Sequence, residues 1–384
     1  MIRGTENYGS AFPFSNQPVF FERNRVSRVY RGGLLFHDFF GDPAEDGSSP
    51  EEWVASTVRA FSKEPKSELE GISIVKGTGT PFSVLMQKHR KALVGERGGF
   101  EDALGVEDAV GVEDAVGVEV LVKLLDSAIR LPVQAHPDKA FATRHLNSPH
   151  GKTEMWLVLA TRANARIFYG FRDGVRARDL TSAIRASETD RSALPSLLNE
   201  LPARPGDVYL IPARVAHAIG AGCLILEVQE PTDFTVRPEA WCGEHHLSAF
   251  EMFLGLDEAT ALQCFDFTDL VGDRAVAAGR KQPRRFLEDA RVTGEHLISY
   301  EDTPDFSVNR YRLHGGCHAL GSGPAVYVVT EGTGSIQTDG FSRSVRKGDY
   351  FFLPACVESL SLASASEMEV IECLPPRARP PRAP

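Results

Sequence analysis

Residues 204–219 read "RPGDVYLIPARVAHAI", and they show how the short β-elements of this chain are built. The Gly206–Asp207 pair predicts a tight turn that leads into the apolar run "VYLI". Pro212 cannot donate to a strand ladder, so the strand ends there, and the chain resumes with His217 facing inward. A short apolar strand bounded by turn residues is typical of β-sandwiches and barrels.

The same pattern recurs along the chain and predicts a mainly β fold. Short β-type runs bounded by turn signals occur at "VLVKLL", "MWLVLA", "ARIFYGF", "CLILEVQE" and "DYFFLPA". Helical patterns interrupt these runs at residues 50–61, 83–96 and 179–201. We therefore predict β-barrels with a helical insertion in the N-terminal half, at about residues 50–100.

The bulk composition indicates an ordinary globular protein and excludes several partners. The chain has 384 residues, 42% of them hydrophobic, which is enough for two domains with full cores. Its net charge of −10 argues against a nucleic-acid or anionic membrane partner. The N-terminus lacks the apolar core of a signal peptide, and no apolar run reaches the ~20 residues of a membrane span.

The cysteines point to a reducing compartment. Six cysteines are scattered along the chain without a CxxC pair. This spacing favours reduced thiols over a disulfide framework or a structural zinc knuckle. We therefore expect a cytoplasmic protein.

Two segments have unusual composition. Residues 105–120, "GVEDAVGVEDAVGVEV", repeat a six-residue unit whose glycines suit neither a helix nor a coiled coil. The repeat is either a binding loop or, as we favour, a short duplication that lengthens a surface loop before the next strand. The Pro/Arg-rich residues 375–384 are predicted to be a disordered tail.

The stretch "LPVQAHPDK", residues 131–139, places polar side chains where a buried strand is expected to end. Gln134 and His136 are two residues apart, so on a strand they face the same side. Two interpretations are open for this pair. It is either a hydrogen-bonded pair of core polar groups or part of a ligand set.

Two further residues favour the ligand set. Glu154 leads into the apolar strand "MWLVL", and His217 follows the Pro212 break. With Gln134 and His136 they supply two nitrogens and two oxygens, which suits one zinc ion per chain with a position left for water or substrate. Only one of these ligands is anionic, so the ion would keep a net positive charge and act as a stronger Lewis acid.

Four motifs in order carry a resemblance to a known family. "VQAHPDK", "GKTEMW", "GDVYLIPARVAHAI" and "PTDFTVR" together resemble type I phosphomannose isomerase (mannose-6-phosphate isomerase), a member of the cupin superfamily. The resemblance is close over residues 16–251 and looser beyond them. It implies tandem jelly-roll (cupin) barrels and the interconversion of mannose 6-phosphate and fructose 6-phosphate. It also implies the zinc ligands Gln134, His136, Glu154 and His217.

Five other residues match pocket positions of that family: Lys123, Lys152, Glu227, Asp233 and Arg237. We expect Arg237, Glu227 and Lys152 to be catalytic. Lys123 and Asp233 are expected to bind the substrate, with Lys123 meeting its phosphate at the pocket mouth.

Chemistry supports these roles, because aldose–ketose isomerisation passes through an enediolate whose negative oxygens need a metal and a guanidinium nearby. Some alternatives remain open. Asp233 and Arg237 are also spaced for a structural salt bridge on one strand face, and Lys152 for an exposed turn. The general base is left open between Glu227, Lys152, His217 and Arg237.

The predicted division is a catalytic domain over residues 1–255, including the insertion and the repeat loop, and a C-terminal barrel over residues 256–374. The second barrel is expected to hold no metal, because Glu358 stands where a histidine would be. Pro132 replaces a serine of the family, which leaves the need for phosphate open. The alternatives are therefore an isomerase of another aldose or aldose phosphate, or a non-catalytic cupin that senses a sugar phosphate. The oligomeric state is not predicted.

Overall fold

The computed structural model describes residues 13–61, 65, 67–95 and 117–377. Within these residues the strands are β1 (Val19–Phe20), β2 (Arg25–Val26), β3 (Glu51–Val54), β4 (Leu121–Asp126), β5 (Glu154–Thr161), β6 (Arg166–Phe171), β7 (Leu198–Pro202), β8 (Val208–Ile211), β9 (His217–Ile219), β10 (Cys223–Gln229), β11 (Trp241–Cys242), β12 (His245–His246), β13 (Arg280–Lys281), β14 (Arg284–Glu288), β15 (Val292–Ile298), β16 (Ser307–Leu320), β17 (Ala325–Thr338), β18 (Phe341–Arg346), β19 (Tyr350–Leu353) and β20 (Leu360–Leu374). The α-helices are α1 (Phe36–Phe40), α2 (Phe82–Val94), α3 (Lys139–His145), α4 (Ala177–Ala186), α5 (Ala249–Phe253), α6 (Glu258–Ala261) and α7 (Gly272–Gly279). The mainly β fold is confirmed.

Two large antiparallel sheets dominate the structure. The first, which we call the site sheet, has seven strands in the order β13-β8-β5-β10-β4-β3-β2. The second, which we call the C-terminal sheet, contains β1-β19-β17-β20-β16-β15-β14, and β18 pairs with β17. A three-stranded sheet of β7-β6-β9 and a hairpin of β11 and β12 complete the strands described.

The central strands β4, β5, β8 and β10 of the site sheet are mostly buried along their length, and each is a nearly continuous apolar run. In β5, Met155 and Leu157 belong to the core shared with the C-terminal sheet. Trp156 and Val158, on the opposite face, belong to a second core with the three-stranded sheet. One sheet therefore separates two cores.

A short N-terminal strap joins the two large sheets. β1 pairs with β19 of the C-terminal sheet, and β2, a few residues later, pairs with β3 of the site sheet. In the opposite direction, β13 pairs with β8. Hydrogen-bonded strands thus cross the predicted division between residues 255 and 256, and the division itself stays a prediction.

The predicted helices are found only in part. The helix expected at residues 83–96 is α2, but residues 50–61 contain β3 instead, so the helix predicted over residues 50–61 is wrong. Helical propensity in "PEEWVAS" is overridden because both glutamates of β3 are buried and ion-paired, Glu51 with Arg28 and Glu52 with Arg25.

The third helical prediction is also corrected in its second half. Of residues 179–201, the first part is α4, after which the chain forms a 3₁₀ turn at Pro195–Leu197 and then enters β7. Residues 105–116 of the repeat and 378–384 of the tail lie outside the described residues. Among the helices of the described residues, none has the length and apolar character needed to cross a membrane.

The shared core predicts a large stability effect for Phe352 on β19. Its ring is fully buried and meets Phe82 of α2 edge-on at a centroid distance of 5.3 Å. Phe352→Ala should cost about 3–5 kcal/mol of unfolding free energy, because it leaves a cavity between the sheets. Phe286→Ala, at a residue that is 44% exposed, should cost less than about 1 kcal/mol. Urea denaturation checks both; equal losses would contradict a shared core.

Candidate metal centre and pocket

The segment that carries Gln134 and His136 is extended, but it is not a regular strand. Gln134 forms a single antiparallel bridge with His217, and Ala135 forms one with Val236. Val133 and Ala135 face a core formed with the helices. The alternation predicted from the sequence therefore holds, and it leaves Gln134 and His136 on the site side.

Three side chains from separate elements converge beside this segment. The Nε2 atom of His136 lies 3.1 Å from Oε2 of Glu154, and the Nε2 atom of His217 lies 3.3 Å from Oε1 of the same carboxylate. Glu154 is the first residue of β5, and His217 is the first residue of β9. All three are buried, with ligand atoms within 4.8 Å of one another, a geometry that suits a metal ion.

Backbone carbonyls fix the tautomer of both histidines. Nδ1 of His136 lies 2.9 Å from the Phe234 carbonyl oxygen, and Nδ1 of His217 lies 2.8 Å from that of Val215. A carbonyl oxygen can only accept, so each Nδ1 carries the proton and each Nε2 presents a lone pair to Glu154. Burial lowers the pKa of His136 to about 3 and also lowers that of His217, so both imidazoles are neutral at neutral pH.

The Glu154 carboxylate is the unsatisfied member of the group. Neither of its oxygens has a hydrogen-bond partner among the described residues, although both are buried. Burial alone would raise its pKa, but the Lys152 ammonium holds that pKa well below its usual range. The Lys152 ammonium supplies one positive charge beside this carboxylate. Two imidazole nitrogens together with a carboxylate are also a donor set that fits zinc.

Gln134 completes the predicted ligand set. Its Nε2 atom lies 3.3 Å from Nε2 of His217, and the residue is 9% exposed. A half-turn of the amide exchanges its nitrogen and oxygen, so the side chain can offer a neutral oxygen to the same centre. The four residues thus lie together, as the sequence predicted, and their role as ligands stays a proposal.

Lys152 lies inside the site. Its Nζ atom is 3.0 Å from Nε2 of His136 and 3.0 Å from Oε2 of Glu154, and the residue is 3% exposed. The alternative of an exposed turn lysine is therefore wrong. Lys152 is a buried cation in direct contact with two of the candidate ligands.

A cavity opens next to the metal group, and charged side chains dominate its lining. Those residues are Arg28, Glu51, Lys123, Lys152, Glu227, Asp233 and Arg237. Gln134 and Pro132 also line it. Lys152 lines the cavity and contacts His136 and Glu154, so the cavity adjoins the metal group.

Glu227 is held between two donors on neighbouring strands. Its Oε2 accepts a 3.1 Å hydrogen bond from Nε1 of Trp156, and its Oε1 lies 3.3 Å from Nζ of Lys123. The strand register places both partners directly opposite Glu227, one on β5 and one on β4. Burial and repulsion from Glu154 raise the pKa of Glu227. This is the direction expected for a carboxyl group that exchanges protons.

Lys123 lies deeper than the sequence suggested. We expected it at the pocket mouth, but it is 3% exposed and stands over the Trp53 ring with Nζ 4.8 Å from the ring centroid. Its ammonium also lies 3.8 Å from Asp233, in addition to its contact with Glu227. The buried lysine is therefore compensated by carboxylates of the protein itself.

Asp233 and Arg237 do not form the salt bridge that their spacing allowed. Asp233 pairs instead with Arg28 at 3.1 Å, and it accepts the backbone N–H of Phe61. The segment that carries them is irregular, so the strand-face argument from the sequence fails. The Nε atom of Arg237 is buried and has no hydrogen-bond partner within the described residues. Burial lowers the pKa of this guanidinium.

A group of residues around Glu51, next to the predicted pocket residues, was not predicted from the sequence. Arg28 lies 2.9 Å from Glu51 through its Nε atom, and the Tyr30 hydroxyl donates to the same carboxylate at 2.5 Å. Trp53 donates from Nε1 to the other oxygen of Glu51 at 2.7 Å. The signal for this group was weak, because "SRVYRG" and "EEW" read as exposed charge until the burial of β3 is known.

The chain is similar in sequence to known proteins. The family model described as "Mannose-6-phosphate isomerase, cupin domain" matches residues 296–373. A mannose-6-phosphate isomerase of Streptococcus mutans is 27% identical over 350 residues, which cover 89% of this chain and 94% of that protein. The mannose-6-phosphate isomerase ManA of Bacillus subtilis is 27% identical over 266 residues, which cover 65% and 73%.

Solved structures show the same fold. The mannose 6-phosphate isomerase of Bacillus subtilis superposes with a TM-score of 0.66 at 24% identity, covering 93% of this chain and 99% of that one. A putative mannosephosphate isomerase of Archaeoglobus fulgidus gives a TM-score of 0.65 at 17% identity, covering 94% and 99%. The chain is thus similar in sequence, over most of its length, to mannose-6-phosphate isomerases, its residues 296–373 match their cupin-domain model, and its fold is that of the solved isomerase structures.

Proposed function

We propose that the chain is a zinc-dependent mannose-6-phosphate isomerase that interconverts mannose 6-phosphate and fructose 6-phosphate through an enediolate. The observation that carries this proposal is the convergence of two neutral imidazoles, those of His136 and His217, on the buried Glu154 carboxylate. The names of the similar proteins support the choice of reaction. The substrate is accordingly a small sugar phosphate, and the expected setting is cytoplasmic carbohydrate metabolism.

One zinc ion per chain is proposed, held by Gln134, His136, Glu154 and His217. When bound, zinc supplies a Lewis acid that stabilises negative charge on substrate oxygens. The protein orients the ligands before the ion binds, because the Nδ1–H group of each histidine donates to a backbone carbonyl oxygen. Each Nε2 is thereby left free to bind the ion. The ligand set carries a single negative charge, from Glu154.

Glu227 and Lys152 are the proposed proton carriers. The reaction moves one proton between adjacent carbons, so it needs a group whose pKa lies close to the working pH. The raised pKa of Glu227 moves it in that direction, and its oxygens are held by Trp156 and Lys123. Lys152 lies between the candidate ligands, where it can exchange a proton with a substrate oxygen.

Arg237 is proposed to stabilise the enediolate. Its buried Nε lacks a hydrogen-bond partner within the described residues, so the guanidinium can aim a preorganised donor at a developing oxyanion. Lys123 and Asp233 are proposed to contact the substrate from the cavity wall. Because both are already ion-paired, we infer that they meet hydroxyl groups of the substrate. Lys123 is also proposed to keep Glu227 in place.

We further propose that the two large sheets belong to tandem jelly-roll barrels of the cupin type. The site sheet, with the three-stranded sheet, would form the catalytic barrel, and the C-terminal sheet would form the second. The second barrel is proposed to carry no metal.

Turnover of mannose 6-phosphate tests the proposed function. Purified protein with zinc should form fructose 6-phosphate in a coupled assay, and kcat/KM should be higher for mannose 6-phosphate than for mannose or glucose 6-phosphate. Faster turnover of another sugar would support an isomerase of a different aldose. Saturable binding of mannose 6-phosphate without turnover would make the chain a sensor and contradict the proposal.

Metal content should depend on the convergent group. His217→Ala should remove the copurifying divalent ion, because it deletes a neutral imidazole ligand. His246→Ala changes an exposed histidine paired with Glu188 and should leave the ion in place. Elemental analysis by mass spectrometry measures both. Chelation of the unmodified protein should lower its thermal midpoint, because a ligand that binds only the folded state stabilises it. Full metal content in His217→Ala would contradict the assignment.

Arg237→Lys should lower kcat about 100-fold while zinc content and KM change little. An interaction that forms mainly in the transition state affects kcat, and losing one such donor costs about 10²–10³-fold. Arg130→Lys is the matched control, because Arg130 forms a two-point ion pair with Glu239. A rise in KM at constant kcat would instead make Arg237 a ground-state phosphate contact.

A further inference from the structure

Two adjacent buried glutamates on β3 face opposite sides of the site sheet. Glu51 faces the cavity, where it accepts from Tyr30 and Trp53 and pairs with Arg28. Glu52 faces the C-terminal sheet and is fully buried. Successive residues of a strand point in opposite directions, so β3 connects the cavity mechanically to whatever holds Glu52.

Glu52 is held by three donors at the junction of the two sheets. Its Oε2 accepts from Arg25 at 2.7 Å, and its Oε1 accepts from the backbone N–H of Asn24 at 2.8 Å. The third donor is the hydroxyl of Tyr350, the first residue of β19 in the C-terminal sheet. Tyr350 is 5% exposed, so this is a buried hydrogen bond to a charged group, the stronger kind.

The N-terminal strap passes through the same contact. The strap leaves the C-terminal sheet after β1 and joins β3 through β2, whose Arg25 pairs with Glu52. Arg28 and Tyr30 follow β2 directly and line the cavity. Arg28 and Glu51 form one wall of the cavity, which we call the Arg28–Glu51 wall. The position of Glu52 therefore constrains both segments that carry this wall, namely the strap and β3.

The candidate metal ligands are supported elsewhere. Gln134 and His217 are joined by two backbone hydrogen bonds of 2.9 Å, and Ala135 is bridged to Val236. The apolar residues beside them face the helical core and not the C-terminal sheet. A disturbance at Glu52 should therefore reach the Arg28–Glu51 wall and leave the metal group intact.

We propose that Tyr350, acting through Glu52, is a positioning residue by which the C-terminal sheet sets Arg28 and Glu51 in the substrate cavity. Neither Tyr350 nor Glu52 lines the cavity. The C-terminal sheet thus contributes to substrate handling although it supplies no residue to the cavity lining. This inference rests on the proposed function for its kinetic consequence and on the structure alone for its structural one.

A matched pair of variants isolates the effect. Tyr350→Phe removes the hydroxyl that holds Glu52. Tyr327→Phe removes an equivalent buried hydroxyl of the same sheet, which donates to Glu372 at 2.7 Å, on the neighbouring strand β20, and not to Glu52. Both variants lose one buried Tyr–Glu hydrogen bond, so their stability losses should be alike. Only Tyr350→Phe should lower kcat/KM for mannose 6-phosphate, by roughly tenfold with metal content unchanged, since misplacement of about 1 Å costs up to about a hundredfold.

The three tryptophans provide a readout that needs no activity. The indole N–H of Trp53 donates to Glu51, that of Trp156 donates to Glu227, and that of Trp241 donates to the Glu188 carbonyl, far from β3 in sequence. In ¹⁵N-tryptophan spectra of the full chain, Tyr350→Phe should shift the Trp53 indole signal and leave the Trp241 signal in place. Tyr327→Phe should shift neither of these two signals.

The outcomes are separable. A Trp53 signal unmoved by Tyr350→Phe, or moved equally by Tyr327→Phe, would overturn the inference even if the unmodified enzyme is fully active. Absence of isomerase activity in the unmodified chain would refute the proposed function, and the Trp53 signal would still decide the positioning role. If Tyr350→Phe fails to fold, Glu52→Gln tests the same contact, since the amide cannot serve as a two-oxygen acceptor for Arg25 and Tyr350. Glu52→Gln should likewise shift the Trp53 signal, and an unmoved signal would again overturn the inference.

Discussion

A buried carboxylate that faces two imidazole lone pairs is the constraint on which the rest of the site depends. Glu154 has no hydrogen-bond partner within the described residues, while His136 and His217 are committed to backbone carbonyls through their other nitrogens. Such an arrangement is unfavourable without positive charge, and the Lys152 ammonium, 3.0 Å from Oε2 of Glu154, supplies part of that charge. Two neighbouring groups depend on the negative charge of Glu154. Lys152 contacts that carboxylate, and the raised pKa of Glu227 arises partly from repulsion by it.

The site sheet turns this local constraint into a property of the whole fold. Alternate residues of β5 serve the site and the core shared with the C-terminal sheet, so neither core can be rearranged without the other. The family model matches residues 296–373, within the half that contributes no member of the convergent metal group. That half nevertheless supports the site physically. It packs against the site sheet, and its Tyr350 contacts Glu52 of that sheet.

The sequence was most informative where chemistry and strand period coincide. Gln134, His136, Glu154 and His217 were found because polar residues at buried strand positions stand out against an apolar run. The burial of β3 could not be predicted, since Glu51 and Glu52 are compensated by arginines from another segment. Pairings of this kind depend on tertiary structure, and local spacing does not encode them.

The same limit explains the two misjudged pocket residues. Lys123 was placed at the pocket mouth because a lysine in an apolar strand is costly, but three carboxylates near it lower that cost from within. The spacing of Asp233 and Arg237 would allow a salt bridge on a regular strand. The chain between them is irregular, however, and Asp233 pairs with Arg28 instead. In both cases a partner distant in sequence decided the outcome.

X-ray absorption at the zinc edge of the purified protein tests the proposed metal centre. A zinc ion on the four proposed ligands should show a first shell of nitrogen and oxygen atoms alone, at about 2.0–2.2 Å, with the outer-shell scattering of two imidazoles. Zinc–sulfur scattering near about 2.3 Å would contradict the proposed centre, because it would place the ion on the cysteines. A spectrum with a single imidazole, or a protein that binds no divalent ion at all, would contradict it equally.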